Sequence, residues 1–407
     1  MACRLSPAVL WLWAALLLHL AAAASKPPPV VGGPVSRVEE ARLFHIYYGQ
    51  GFKVIKNAWD GKSYLLMQST SKMASRTRYC TGRIKSFVVP LANYSLDTTA
   101  SPVSFFEHVS CVQLLGVLEN LKGITSPQVA SQCVLQAYAT GNVQLLNRTD
   151  AGKLSQFRAH FVSTDQDKGC NFAAYVPSEE DTPLQRAEWI KYLGTFTNSE
   201  DRANAVYDAI KTNYLCLSKA AAALSTRFKP VVAWVEFTEG VWTFVRESYK
   251  LQYVKDAGAE IVDATITDKR FNGSDPEDMD SLHAILCTVD VVIDQTYASD
   301  PAEYKLSTFL DNIDVGRDSC FSFITNQSIW RFDKRIGNSK TLDWSDGAIS
   351  QPQLVLGDLI EVFFPTGNYT TVYFRNLAKE EGVTEIVPEM CTRSISTPME
   401  PTILPCQ

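Results

Sequence analysis

The stretch SEDRANAVYDAIKTNYLCLSKAAAAL, Ser199 to Leu224, divides the chain and decides how the rest is read. Ala203, Val206, Ile210, Tyr214, Leu217, Ala221 and Leu224 recur at steps of three and four, which puts one apolar stripe along a helical face. Ser199 is placed to cap the N-terminus. Glu200 and Asp201 carry negative charge where the helix dipole favours it, and Lys219 lies towards the other end. At 1.5 Å per residue the helix would run roughly 39 Å, enough to cross a small domain. A shorter helical stretch, TPLQRAEWIKYL from Thr182 to Leu193, precedes it, and after it Pro230 opens the strand VVAWVEF. Mixed strand and helix patterns of similar length lie on either side. The periodicity alone suits a helix joining two lobes or a surface helix within one large α/β domain.

The chain of 407 residues can bury large cores, most naturally as two domains. Its 46% hydrophobic and 20% charged residues make a globular balance. With a net charge of -6 and no Lys/Arg run, nucleic acid is not an expected partner, because phosphate binding needs clustered positive charge.

Arg4 is followed by an apolar run from Ala8 to Ala24 that ends in small residues, the form of a cleaved secretory signal. It is short for a membrane span, His19 interrupts it, and no later stretch reaches spanning length. The mature chain is expected to begin near Ser25 and to be secreted. Five Asn-x-Ser/Thr triplets, at Asn93, Asn147, Asn272, Asn326 and Asn368, predict glycans on exposed loops. Cys3 leaves with the signal. Nine cysteines remain (Cys80, Cys111, Cys133, Cys170, Cys216, Cys287, Cys320, Cys391 and Cys406), so an oxidising compartment predicts disulfides with at least one thiol left over. Cys391 and Cys406 sit in or beside the Pro-rich tail, where a covalent tie would hold a segment without regular structure.

Taken in order, LFHIYYG, FKVIKN and SYLLMQS read as a small antiparallel β appendage, with turns at Gln50-Gly51 and Asp60-Gly61. SFVVPLANYSL reads as the first core strand. SPVSFFEHVSCVQLLG reads as a helix capped by Ser101 with Pro102 at its first position. Beyond the long helix come VVAWVEF, the loop TEGVWTFVRES, the helix SYKLQYVKDAG, the short strand EIVDA, the helix PEDMDSLHAILC and the buried strand VDVVID. CFSFITNQSIWRF reads as a further strand and PQLVLGDLIEVFFP as a final helix. Alternating strands and helices predict an α/β fold with mainly parallel sheets. The expected organisation is a signal at 1–24, a leader and β appendage at 25–85, and an N-terminal α/β lobe at 86–198. The joining helix occupies 199–225, and a C-terminal α/β lobe with its tail occupies 226–407.

Four segments carry a family resemblance: SFFEHVSCVQLLGVLENLKGIT, LQRAEWIKYLGTFTNSEDRANAVYDAIKTNY, WTFVRESYKLQYVKDAGAEIVD and DWSDGAISQPQLVLGDLIEVFFP. In order and length they resemble the substrate-binding proteins of bacterial iron-siderophore and cobalamin ABC importers, whose two lobes are joined by one rigid helix. The resemblance implies a ligand cleft between the lobes that takes a metal chelate (siderophore, cobalamin or haem-like) or another organic molecule. The region between Thr125 and Arg158 departs from that family, where its members carry ligand contacts and part of the transporter-docking surface. The sequons and cysteines point to a eukaryotic extracellular setting. The alternative is therefore a glycoprotein that keeps the fold as a protein-interaction scaffold. A binder should leave cleft groups unsatisfied, whereas a scaffold should fill its cleft with side chains.

In open α/β sheets ligands bind beyond the carboxyl ends of the strands. On the first-lobe side that points to Thr98, Thr99 and Ser101, whose helix start offers free N–H groups to an anionic or carbonyl-rich ligand. On the second-lobe side it points to Glu239, Trp242 and Phe244, then Asp294, Gln295 and Thr296, then Trp330 and Arg335. The expected pocket has Trp242, Phe244 and Trp330 as aromatic walls, with Ser101, Glu239, Gln295 and Arg335 as polar contacts. Equally, the rings could be core residues and Arg335 could pair with Asp333 or Asp343. Mature histidines are His45, His108, His160 and His283, none in an HxH or HExxH pattern, so no direct metal site is expected. GxSxG, P-loop and GxGxxG motifs are absent, and His108 with Cys111 makes only a weak pair, so neither catalysis nor a cofactor is expected.

Overall fold

The apolar stripe of the long helix, Glu200–Leu224, serves two separate cores. Ala203, Val206, Tyr207 and Ile210 pack into the core of the preceding half. Tyr214, Leu217 and Ala221 pack into that of the following half. Leu224, the last member of the expected stripe, is exposed instead. The computed structural model describes residues 33–108, 117–164, 169–263, 265–266, 268–316, 321–337, 340–394 and 396–406. The expected signal segment, Cys111 and Cys320 lie outside the described residues.

The fold is α/β. In the first half, β1 (Phe44–Gly49), β2 (Phe52–Asn57), β3 (Ser63–Gln68) and β4 (Ile84–Val89) form a four-stranded sheet. The first three strands run antiparallel, and β4 joins β3 in parallel. Phe44, Ile55, Tyr64, Leu66 and Phe87 share one core with the next sheet, so these strands are packed into the first half and do not hang from it. That second sheet is wholly parallel, in the order β7 (Gln144–Leu145), β6 (Leu121–Ile124), β5 (Tyr94–Leu96), β8 (Ala159–Val162), β9 (Phe172–Ala174). The expected single strand SFVVPLANYSL is thus two strands in two sheets, parted at Pro90, which has no N–H to give to a ladder.

In the second half, β10 (Val231–Thr238), β14 (Val291–Asp294) and β15 (Ile329–Arg331) are parallel neighbours. The stretch expected as a loop, TEGVWTFVRES, contains β11 (Val241–Phe244), which returns antiparallel to β10; β12 (Glu260–Ile261) pairs in parallel with β10, and β13 (Arg270–Asn272) antiparallel with β11. The hairpin turns at Glu239 and Gly240, with φ of 52° and 81°. Two consecutive positive φ values match the primed turns that fit the twist of paired strands, and Gly at the second position supplies one at no steric cost. CFSFITNQSIWRF is a strand only in part: Ser322–Thr325 is a helical turn and β15 starts at Ile329. The terminal helix Pro352–Phe363 covers one face of this sheet and packs on the long helix. Among the described residues no helix is long and apolar enough to cross a membrane.

Among the described residues three disulfides staple the chain: Cys80–Cys170, Cys133–Cys391 and Cys216–Cys406. Cys287 is a free, exposed thiol. Both tail cysteines are tied, as their place in an irregular segment predicts. The tail is bound to the first half through Cys133 and to the long helix through Cys216. Of the sequon asparagines, Asn147, Asn272, Asn326 and Asn368 are exposed. Asn93 is half-buried, and its Oδ1 accepts from the Arg158 N–H at 3.0 Å.

Peptide mapping without reduction should recover these three linked pairs. Replacing Cys216 and Cys406 together by Ser opens a covalent loop of 190 residues and should lower stability by roughly 2–4 kcal/mol in denaturant titration.

Candidate functional site

The carboxyl ends of β10, β14 and β15 open on a cavity of about 340 Å³. Glu236 leaves β10, Asp294 and Gln295 leave β14, and Arg331 ends β15; Lys250 comes from the helix Ser248–Asp256 and Trp344 from the turn Asp343–Ser345. Lys250 is the centre of the polar set. Its Nζ donates to Gln295 Oε1 at 2.6 Å and to Glu247 Oε1 at 2.8 Å. The same ammonium lies 5.5 Å from the Trp234 and Phe332 ring centroids and 5.6 Å from that of Tyr249. Aromatic faces stabilise the cation where water is scarce. Gln295 in turn donates through Nε2 to Glu236 Oε2 at 3.0 Å. Arg331 is buried and fully engaged, donating to Asp294 at 2.9 Å, Asp333 at 2.7 Å and the Thr296 carbonyl at 2.8 Å. Phe332 and Trp344 stack at a slant, centroids 4.7 Å apart, and Tyr297 stands 82% exposed beside them.

The sequence-expected contacts do not gather in one place. Gln295 lines this cavity. Ser101 lines a separate one of about 210 Å³, with its Oγ donating to the Tyr175 carbonyl at 3.3 Å. Arg335 lines a third, of about 350 Å³, and its Nε donates to Asp343 at 2.8 Å. Glu239 is the exposed tip of the β10–β11 hairpin. Trp242 and Phe244 are buried in the core on one face of the sheet, where Trp242 packs on Phe237 and Phe309 and its Nε1 donates to the Asn312 carbonyl. Trp330 belongs to the core on the opposite face. The aromatic wall of Trp242, Phe244 and Trp330 is therefore a misreading. A strand alternates its side chains, so in Ile329–Trp330–Arg331 the residue that reaches the open strand end is Arg331.

Thr98 and Thr99 line the Ser101 cavity, yet the N–H groups expected to be free there are occupied. The helix starts at Phe105 and not at Ser101. The preceding N–H groups of Val103 and Ser104 both donate to Asp346 Oδ1, at 2.9 and 2.7 Å, and Ala130 N–H reaches Asp346 Oδ2 at 3.3 Å. Ser104 Oγ donates to the Asp346 carbonyl at 2.9 Å. A side chain from the second half thus fills the place assigned to an anion. Nearby, a Cβ on Gly337 would stand 2.4 Å from the Val129 carbonyl oxygen, so only glycine allows the two backbones to meet there. The intervening segment, including Thr341, Leu342, Trp344 and Ser345, contributes to both the Ser101 cavity and the strand-end cavity.

Burial and the neighbouring Asp343 push the Asp346 carboxyl up to about 7, against the pull of the N–H donors. Burial likewise raises Asp358 to about 7, although it accepts from the N–H groups of Val372, Tyr373 and Phe374. Among the described residues no group of three or more His, Cys, Asp or Glu side chains could hold a metal ion. Lys250, Arg331, Trp344 and Asp346 escaped sequence reasoning. Arg331 lay one residue beyond the chosen Trp330, and the paired acids of DWSD were the available signal for Asp346.

No protein-family model matches the chain, and no curated protein matches it. Among solved structures it is similar to a periplasmic binding protein from Veillonella parvula, with 10% identity, a TM-score of 0.47, and 73% of this chain and 89% of that one covered. It is also similar to a periplasmic heme binding protein from Pseudomonas aeruginosa, with 14% identity, a TM-score of 0.46, and coverages of 72% and 99%. A possible iron-binding (periplasmic solute-binding) protein from Staphylococcus epidermidis gives 13% identity, a TM-score of 0.45, and coverages of 67% and 98%.

Because the folded chain holds Asp346 and Asp358 protonated above the ordinary carboxylate range, their contribution is complete below about pH 4. It is lost as pH rises through about 7. Thermal melts should therefore show a lower Tm at pH 8 than at pH 5. Asp346→Asn keeps an acceptor for Val103 and Ser104 and should flatten part of that slope. Asp346→Ala removes the acceptor of Val103, Ser104 and Ala130 and should cost about 1–3 kcal/mol for each donor left unsatisfied at pH 5.

Proposed function

We propose that this chain is a secreted, glycosylated protein that binds a small organic ligand without catalysis, at the strand ends of its second half. The observation that carries this reading is the cavity of about 340 Å³ beyond β10, β14 and β15, with aromatic surface on one side and Lys250, Gln295 and Glu236 on another. Its position is the one where open parallel sheets collect ligands, and its size lies at the lower end of roughly 300–1,000 Å³ typical of small-molecule sites. Trp344 and the exposed ring of Tyr297 suit a planar group, and the amide of Gln295 suits a ligand with both donors and acceptors. No imidazole or thiol is among the described residues that line it, so a metal would be taken only already chelated. The apolar run near the N-terminus, the disulfides and the exposed sequon asparagines support the secretory setting.

A second reading, a protein-interaction scaffold, is favoured by Asp346, which fills the first half's share of the cleft. Native mass spectrometry of protein secreted from a eukaryotic host separates the two. On the binding reading a co-purified small molecule is present, and Lys250→Met with Gln295→Ala loses it while the fold is kept. A protein that carries nothing, and takes up nothing from a metabolite extract of the secreting cells, belongs to the scaffold reading.

A further inference from the structure

The cavity that holds Arg335 differs in kind from the strand-end cavity. It has a volume of about 350 Å³ and lies between the two halves under the C-terminal tail. Its acidic groups are already engaged. Asp343 accepts from Arg335 Nε at 2.8 Å and from Gly347 N–H at 2.9 Å. Glu107 accepts from Ser131, from Cys133 N–H and from Arg393. The groups left over are donors. Arg335 uses only Nε among the described residues, which leaves both terminal nitrogens of its guanidinium. The hydroxyl of Tyr373, which lines the cavity, has no hydrogen bond among the described residues. Gln351 accepts from Thr402 N–H at 3.0 Å through Oε1, and its amide nitrogen is likewise unspoken for. Leu354, Met399 and Leu404 supply apolar wall.

We propose that this cavity is a second binding site, for a small organic carboxylate with a compact apolar body. These donors line the cavity without a protein partner among the described residues, Arg335 with 32% of its side chain exposed, and one carboxylate can take several of them at once. The paired terminal nitrogens of a guanidinium match its two oxygens in a bidentate contact that an amine cannot reproduce. The apolar wall selects a hydrocarbon body over a bare inorganic anion. The cover is already in place: Met399 N–H donates to the Glu107 carbonyl at 2.7 Å, Gln353 Nε2 to the Thr402 carbonyl at 2.9 Å, and Leu404 N–H to Asn213 at 2.9 Å. Disulfides fix the tail on both sides of these contacts. Little order remains to be imposed when a ligand enters, which favours binding. Because Ser104 and Ser131 line the cavity from the first half and Arg335 and Tyr373 from the second, the ligand bridges the two.

Isothermal titration of the full secreted chain with benzoate and with hexanoate tests this. Saturable one-to-one binding is expected for at least one of them, with benzamide weaker than benzoate. Arg335→Gln combined with Asp343→Asn, which avoids leaving a buried carboxylate alone, should weaken binding roughly tenfold or more. Tyr373→Phe should weaken it several-fold with an unchanged melting curve. Absence of saturable binding by both acids, or binding that both variants leave intact, overturns the proposal. Neither result bears on the strand-end cavity, which shares none of these residues.

Discussion

The Asp346 carboxyl group makes the contact on which the rest of the arrangement depends. It comes from the second half, yet its acceptors meet the N–H groups of Val103, Ser104 and Ala130 in the first. Those donors precede helical segments and have no partner of their own kind, so water, a ligand or a side chain must satisfy them. The chain supplies its own side chain. That choice sets the distance between the halves, brings Gly337 against Val129, and lays the segment around Trp344 across the space between the sheets. The space around this contact is divided into separate cavities with different chemistry.

The polar groups of the second half show how such a partition remains stable. Arg331 and Arg375 share Asp333, Arg331 also holds Asp294, and Arg375 donates to the carbonyls of Pro301 and Tyr304. Buried charges in such a network are tolerable because each is matched and hydrogen-bonded, and removing one member would strand the others. Lys250 is held differently, by aromatic faces with Gln295 and Glu247 at its head. Gln295 is neutral and can turn its amide, so this end of the network can exchange an internal partner for a ligand at little electrostatic cost. The Arg331 cluster cannot.

The long helix, the alternation of strand and helix, and the tying of the tail cysteines were all legible, because each rests on local chemistry: a 3.6-residue stripe, runs of β-branched residues, thiols in an irregular segment. Leu224 shows the limit of periodicity, which marks a face without saying where its cover ends. Trp242 and Phe244 were misplaced because the Glu239-Gly240 turn was read as part of a loop, so two core rings were taken for loop residues. Trp330 was expected to follow the last strand, whereas it lies within it. The alternation of the strand hands the open end to its smaller-looking neighbour, Arg331. The acids of DWSD were available as a signal for Asp346, but its role was not legible there, since it depends on two segments some 240 residues apart meeting in space.

These contacts decide what kind of motion is available to a ligand. Opening the halves would break the Asp346 contacts, part Gly337 from Val129, and pull the tail off Glu107, Gln351 and Asn213. The tail cannot simply lift away, because its disulfides hold it to the first half and to the helix that enters both cores. Each hydrogen bond is worth only about 0.5–1.5 kcal/mol, but they would have to break together, and the covalent ties would not break at all. Hinge opening is therefore the costly route. On the proposed binding reading, a ligand at the strand ends would call only for movements of single side chains such as Tyr297 and Gln295 on a fixed frame. In this molecule the joining helix supplies the axis of the two halves, and the self-filled contact at Asp346 fixes the angle between them.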